Sequence, residues 1–245
     1  MKIKNLIRIF ALIILLAIGP TMLFSACTGN NSSKNAYTPI NEKRDISEGF
    51  SAFLPSVTYG IHDITMDNKS GLLYVADKDK VIEINRKHEE RILITGLDNC
   101  KKITACSNKI FILEQGDEKI SLKIFDMKGS LLNELEFDEN IIGIVNKMQV
   151  LDKNGNKLAF HVSKDIQRNI AVLDVKSGEL KELDFRDVCC FCSYGENKLY
   201  IVTWGSPYTL SLYDVENNSV IKSTRFTLSL FFDLVYNEKY KTLYC

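Results

Sequence analysis

The chain opens with Lys2, Lys4 and Arg8 and runs through an unbroken apolar stretch from Ile9 to Ile18. It then reaches Gly19-Pro20-Thr21 and Met22-Leu23-Phe24-Ser25-Ala26-Cys27. A basic start, an apolar core of about 10 to 15 residues and small residues at its end are the parts of an export signal. The run is shorter than the roughly 20 residues that a comfortable bilayer span needs. From Thr28 to Gly49 the pattern changes to TGNNSSKNAYTPINEKRDISEG, almost free of large apolar residues. Such a stretch cannot bury enough surface to order itself, and it predicts a tether with a mean reach of about 25 Å. From Phe50 onward the pattern changes again, to short apolar runs separated by turn formers with no helical period.

One of those runs keeps returning. It reads Leu72-Leu73-Tyr74-Val75-Ala76-Asp77, then Lys109-Ile110-Phe111-Ile112-Leu113, Lys157-Leu158-Ala159-Phe160-His161-Val162, Lys198-Leu199-Tyr200-Ile201-Val202 and Thr242-Leu243-Tyr244-Cys245. A second run follows four of the copies and closes in Asn85, Asp126, Asp174 or Asp214, residues that suit hairpin turns. Another short apolar stretch precedes the first run, as in Ile64-Thr65-Met66-Asp67 and Gln149-Val150-Leu151-Asp152. Four short strands roughly every 40 to 45 residues are the signature of propeller blades. A sandwich would not need one motif to return at one long period. The prediction is an all-β propeller of four-stranded blades, with breaks near 99, 142, 187 and 230 and a partial fifth copy from Phe231. The predicted organisation is a signal peptide over 1–26, a lipidated cysteine and tether over 27–50, and the propeller over 51–245. Because the last residues fall inside the most apolar strand of the repeat, an incomplete propeller is expected, with a compact four-bladed ring as the alternative. Ser51 to Tyr59 offers a candidate closing strand.

Composition narrows the partners. The 245 residues are 45% apolar and 25% charged, values of an ordinary globular protein. The 31 basic residues balance 31 acidic ones, and three of the basic ones sit in the first ten positions, so the remainder is mildly acidic. That balance argues against nucleic acid as a partner, which requires a concentrated positive surface.

Two resemblances carry the reading further. Leu23-Phe24-Ser25-Ala26-Cys27 resembles the lipobox of bacterial lipoproteins, with Phe24 where that family most often has leucine. The resemblance implies a diacylglyceryl group on Cys27, palmitate-type acylation, and a body held at the extracytoplasmic face of the cell membrane. Two acyl chains give firm anchoring at about 0.8 kcal/mol per buried methylene. The alternative is an uncleaved signal anchor from Leu6 to Phe24. Asp67-Asn68-Lys69-Ser70-Gly71-Leu72-Leu73-Tyr74-Val75-Ala76-Asp77 with Lys80-Val81-Ile82-Glu83-Ile84 resembles the repeats of NHL and YVTN-type propellers, over about 61 to 245. No Trp-Asp dipeptide of the WD40 kind occurs.

Candidate chemistry is sparse. Counting ten residues back from each anchor gives Asp63, Cys100, Met148, Cys189 and Asp233, expected on innermost strands near a central channel. The second copy's short hairpin leaves its alignment open by about two positions. Asp63 and Asp233, with His62 alongside, are candidates to face a channel-bound cation or polar ligand. Trp204 and Tyr208, in Trp204-Gly205-Ser206-Pro207-Tyr208, suit ligand stacking or blade packing equally. Beyond Cys27, six cysteines remain, and Cys189-Cys190-Phe191-Cys192 is expected to alternate faces, so that it supplies no three convergent metal ligands. His88 and His161 are expected in an outer turn and a second strand, away from any shared site. No catalytic residue, metal or cofactor is assigned, and no phosphate loop, G-x-S-x-G or H-E-x-x-H occurs. The reading is a binding or scaffold module for a protein, peptide or glycan. The alternatives are a metal-dependent lyase or hydrolase of the NHL-like kind, or a non-functional fragment.

Overall fold

The computed structural model describes residues 56–244 other than 59, 68, 117–118, 139–142, 228–232 and 238–239. The segments expected as signal and tether, Cys27 and Cys245 lie outside the described residues. Among the described residues every regular element is a strand. The first antiparallel sheet holds β1 (Asp63–Met66), β2 (Leu73–Asp77), β3 (Lys80–Ile84) and β4 (Glu90–Thr95) in sequence order. The second holds β5 (Cys100–Cys106), β6 (Lys109–Gln115), β7 (Lys119–Asp126) and β8 (Leu131–Asp138). The third holds β9 (Ile144–Val150), β10 (Lys157–Lys164), β11 (Gln167–Asp174) and β12 (Leu180–Glu182). The fourth holds β13 (Val188–Ser193), β14 (Lys198–Thr203), β15 (Tyr208–Asp214) and β16 (Ser219–Phe226). A two-stranded sheet follows, of β17 (Val235–Asn237) and β18 (Thr242–Tyr244). The blade breaks read from the repeat all fall between sheets.

The recurring run is apolar without alternation because each of its strands is buried on both faces. In β6, Ile110 and Ile112 pack toward the first blade, against Tyr74, Ala76 and Val81. Phe111 and Leu113, on the opposite face, pack toward the third blade, against Leu158 and Phe160. The same division recurs in β14, where Leu199 and Ile201 face the third blade and Val202 faces β17. Each such side chain contributes about 1.5–3 kcal/mol when removed from water. The core is therefore a series of seams between blades, and the innermost strands β1, β5, β9, β13 and β17 touch in that order.

The turns follow the prediction from Asn and Asp. Asn85, Asp126, Asp152, Asp174 and Asp214 each accept backbone N–H bonds from residues just ahead, as in Asp126 Oδ1 with Lys128 and Ser130, both at 2.8 Å. In the Asp126 turn, Gly129 has φ +85° and its Cα abuts the Leu93 carbonyl of the first blade, so a side chain there would meet backbone.

The flank of the first blade differs from expectation. Val75, Ile82 and Ile84 are covered by Val57 and Ile61. Ser56 N–H donates to Glu90 Oε2 at 3.2 Å, and Thr58 N–H donates to Asp77 Oδ2 at 2.6 Å. The described part of the 51–59 segment thus binds side chains across that flank, and it forms no strand ladder.

Candidate functional site

The strand registers define one layer of side chains near the start of the innermost strands. Each anchor pairs with a residue on its neighbouring inner strand: Leu73 with Met66, Ile110 with Ala105, Leu158 with Val150, Leu199 with Ser193 and Leu243 with Tyr236. Three positions before those partners stand Asp63, Lys102, Lys147, Cys190 and Asp233. The two aspartates fall where counting placed them. Cys100, Met148 and Cys189 lie on innermost strands as expected, but outside this layer, because the inner hairpins differ in length. A fixed offset from the anchor overlooks this, and so it missed Lys102 and Lys147.

Those two lysines change the electrostatics of the layer. Lys147 Nζ donates to Asp233 Oδ1 at 2.5 Å and to the Leu234 carbonyl at 3.2 Å, and it stands 5.7 Å from the centre of the Phe191 ring. The cation beside Asp233 is therefore the protein's own. Asp63 Oδ2 accepts the Ile103 N–H at 3.0 Å, which ties the first blade to the second. Burial pushes the Asp63 carboxyl above its ordinary range, and the nearby charge of Lys102, the Ile103 N–H and Lys147 pull the other way. His62 Nδ1 lies 2.6 Å from the Cys100 carbonyl. Since a carbonyl only accepts, Nδ1 carries the proton and His62 adds a second tie between the same blades.

His161 and His88 fall as expected, in β10 and in the turn after β3. His161 is buried, with Nε2 3.1 Å from the Val188 carbonyl, and burial holds its pKa below the ordinary histidine value. Among the described residues no group of three or more His, Cys, Asp or Glu side chains is arranged to hold a metal ion.

The cysteine run departs from simple alternation. The ladder between β13 and β14 slips between Val188 and Cys190, so Cys189 is an extra residue in a bulge. Cys189 packs against the same cluster as Cys190 and Cys192, whereas Val188 and Phe191 face the third blade. The expectation that Cys189 faces away from the other two is corrected by that bulge. Burial pushes the Cys190 and Cys192 thiols up to about 12 and Cys189 up to about 11. The five described cysteines are free thiols.

Trp204 begins the hairpin between β14 and β15, where its N–H donates to the Asp187 carbonyl at 2.8 Å. Gly205 is required there, because a Cβ would lie 2.7 Å from the Pro207 carbonyl oxygen. The Trp204 ring is 5.4 Å from Tyr208, which stacks on Phe226 at 5.9 Å. Tyr208 and Phe226 pack into the seam beside β17, while Trp204 stays 49% exposed. Tyr208 is thus a packing residue, and Trp204 lies half-exposed against it. At the equivalent hairpin of the third blade, between β10 and β11, Ile166 is 94% exposed. Ile144, at the start of β9 and paired with Ser163 beside that hairpin, is also exposed. The signal for Ile166 was a lone aliphatic residue within Lys164-Asp165-Ile166-Gln167-Arg168. Ile166 lines a cleft of about 380 Å³ together with Val162, Lys164, Gln167, Asn169 and Glu182.

No family model and no curated protein matches the chain. Solved structures do. The β-propeller domain of Myceliophteria thermophila Cps50 (Swd1) matches with a TM-score of 0.56 at 14% identity, over 76% of this chain and 62% of that one. The chain is a β-propeller. The WD40 β-propeller domain of Doa1 matches with a TM-score of 0.51 at 12% identity, over 76% of this chain and 67% of that one. The tricorn protease matches with a TM-score of 0.53 at 14% identity, over 71% of this chain and 17% of that one. The chain thus spans less than two thirds of the length of the Cps50 propeller, and at these identities what is shared is the fold. Within this propeller, Asp63, His62 and Lys147 tie neighbouring blades together near the axis, and Ile166 and Trp204 are exposed apolar groups on equivalent hairpin tips of the third and fourth blades.

Proposed function

We propose that this propeller is the extracytoplasmic part of a membrane-anchored bacterial lipoprotein of NHL-like ancestry, and that it binds a protein partner through the face bearing Ile166 and Trp204. The fold alone hosts many functions, so the surface has to carry the reading. The observation that carries it is Ile166, an aliphatic side chain 94% exposed on a hairpin tip, next to a blade whose equivalent tip projects Trp204. Apolar groups that project suit a partner bringing its own concavity, whereas small ligands favour deep apolar pockets. The cleft that Ile166 and Val162 line is otherwise made of charged and amide side chains, Lys164, Asp165, Gln167, Asn169 and Glu182. Support for the anchor is the run from the basic start to Ser25-Ala26-Cys27 and the polar tether after it.

The test uses the full chain in its own cells, with a photo-crosslinking residue placed at 166 or 204 and, as control, at 87 in the turn after β3. The expected result is a discrete protein adduct from 166 and 204 alone, lost when the other tip is changed by Trp204→Ala or Ile166→Asp. Equal adducts from all three positions, or none from any, would overturn the contact face. Processing that is sensitive to globomycin and lost in Cys27→Ser checks the anchor separately.

A further inference from the structure

The outermost strands of alternate blades share a feature that the contact face does not use. In β8 the ladder passes from Phe125–Leu131 to Ile124–Asn133, which leaves Leu132 as an extra residue. In β16 it passes from Tyr213–Val220 to Leu212–Lys222, which leaves Ile221 as the extra residue at the matching place. Both strands thus carry a half-exposed aliphatic pair at or next to their start, Leu131-Leu132 and Val220-Ile221. Both are eight residues long, about 27 Å when extended, and each is the last strand of its sheet. The other outer strands are a poorer match: β12 has three residues, and β4 begins with the opposite charges Glu90 and Arg91.

Charge separates the two long edges by sign. Glu134, Glu136 and Asp138 are the charged residues of β8, and Lys222 and Arg225 those of β16. Glu136 already meets Lys119 at 3.0 Å, and Glu134 lies 4.0 Å from Lys123. Among the described residues, Lys222 and Arg225 have no carboxylate within ion-pairing distance. Exposed edges invite strand addition, and like charges placed opposite one another oppose it. Pairing β8 with β8, or β16 with β16, sets like charges together, whereas β8 against β16 sets acid against base. Glu134 and Glu136 share one face of β8, while Lys222 and Arg225 lie on opposite faces of β16. Whichever face aligns, one cation meets the acidic row.

We propose that β8 of one copy adds edge to edge onto β16 of a second copy of this chain, with the Leu131-Leu132 and Val220-Ile221 pairs covered at the junction. Such a contact joins two different surfaces, so it leaves a free β8 at one end and a free β16 at the other, and it extends head to tail. It is independent of the Ile166 and Trp204 face.

Light scattering on the full chain in mild detergent tests this. At about 50 mM salt the mean mass is expected to rise with concentration without stopping at a dimer, and to fall at about 500 mM, where charges are screened within a few ångströms. Lys222→Glu with Arg225→Glu in one chain is expected to weaken assembly about tenfold, as is Glu134→Lys with Glu136→Lys in another. Mixing the two reversed chains restores assembly, because each then offers edges that complement the other's. Thermal melts of each chain alone establish that it is folded. A wild-type chain that stays monomeric, reversed chains that still assemble alone, or folded reversed chains that fail to assemble on mixing would each overturn the proposal. Ile166→Asp and Trp204→Ala leave the mass distribution unchanged.

Discussion

In the turns that close the blades, Asp126 accepts backbone N–H bonds from residues two and four positions ahead, and Asp174 and Asp214 do the same over two and three. At the axis, Asp63 accepts from Ile103, forty positions away, and Asp233 from Lys147, 86 positions away. The turn aspartates are partly exposed and are held by their own backbone. The axial ones hold separate blades together. Their acidities differ accordingly. Backbone N–H bonds keep the Asp126, Asp174 and Asp214 carboxyls below the usual range, since those bonds favour the charged form. Burial drives Asp63 the other way. A carboxylate in this fold is therefore a local device at the turns and a long-range tie at the axis.

The largest test of that contrast is Asp63→Ala, which leaves the Ile103 N–H without its acceptor and is expected to cost about 1–3 kcal/mol in urea unfolding. Asp63→Asn keeps an oxygen for Ile103 and is expected to cost distinctly less. Equal costs would mean that the charge, and not the acceptor, makes the tie. Next in size is Lys147→Met, which removes the donor to Asp233 and Leu234. Because Asp233 is half-exposed, the expected loss is about 1 kcal/mol. Hydrogen exchange locates it: faster exchange in β17 and β18, with β2 and β6 unchanged, supports an axial tie. A uniform change along the chain would reduce Lys147 to an ordinary surface charge.

The same division explains what could be read from the residues alone. Blade breaks and turns were legible because their signals are local. Leu122-Lys123-Ile124-Phe125-Asp126 announces a strand and its stop in five residues, and the anchor strands announce double burial by lacking alternation. The axial layer was legible only where the inner hairpins share a length. Asp63 and Asp233 emerged, whereas Lys102 and Lys147 required the pairing register. The bulge at Cys189 was hidden for a related reason, since nothing in Val188-Cys189-Cys190 marks a slip against Thr203 and Val202. Trp204 was visible as a lone tryptophan beside Gly and Pro. Ile166 resembled any aliphatic residue until the hairpin placed it on a tip.

The smallest expected effects come from pH, and there the two kinds of aspartate should move in opposite directions. The turn carboxyls titrate below their ordinary value of 3.8. Their contribution is present above that value and is lost as pH falls through the folded pKa. Asp63 titrates above 3.8, so its contribution is present below that value and is lost as pH rises through the folded pKa. Replacing Asp126, Asp174 and Asp214 together by Asn keeps the turn acceptors and removes only the charges. Relative to wild type, that chain should be slightly less stable near neutral pH and should converge on wild type under acid. Asp63→Asn should do the reverse, losing ground under acid and recovering as pH rises past 3.8. Urea midpoints taken between about pH 3 and pH 7 read both slopes. Slopes of the same sign would show that Asp63 is solvated as the turn aspartates are, and the distinction between axis and turn would then rest on hydrogen-bond range alone.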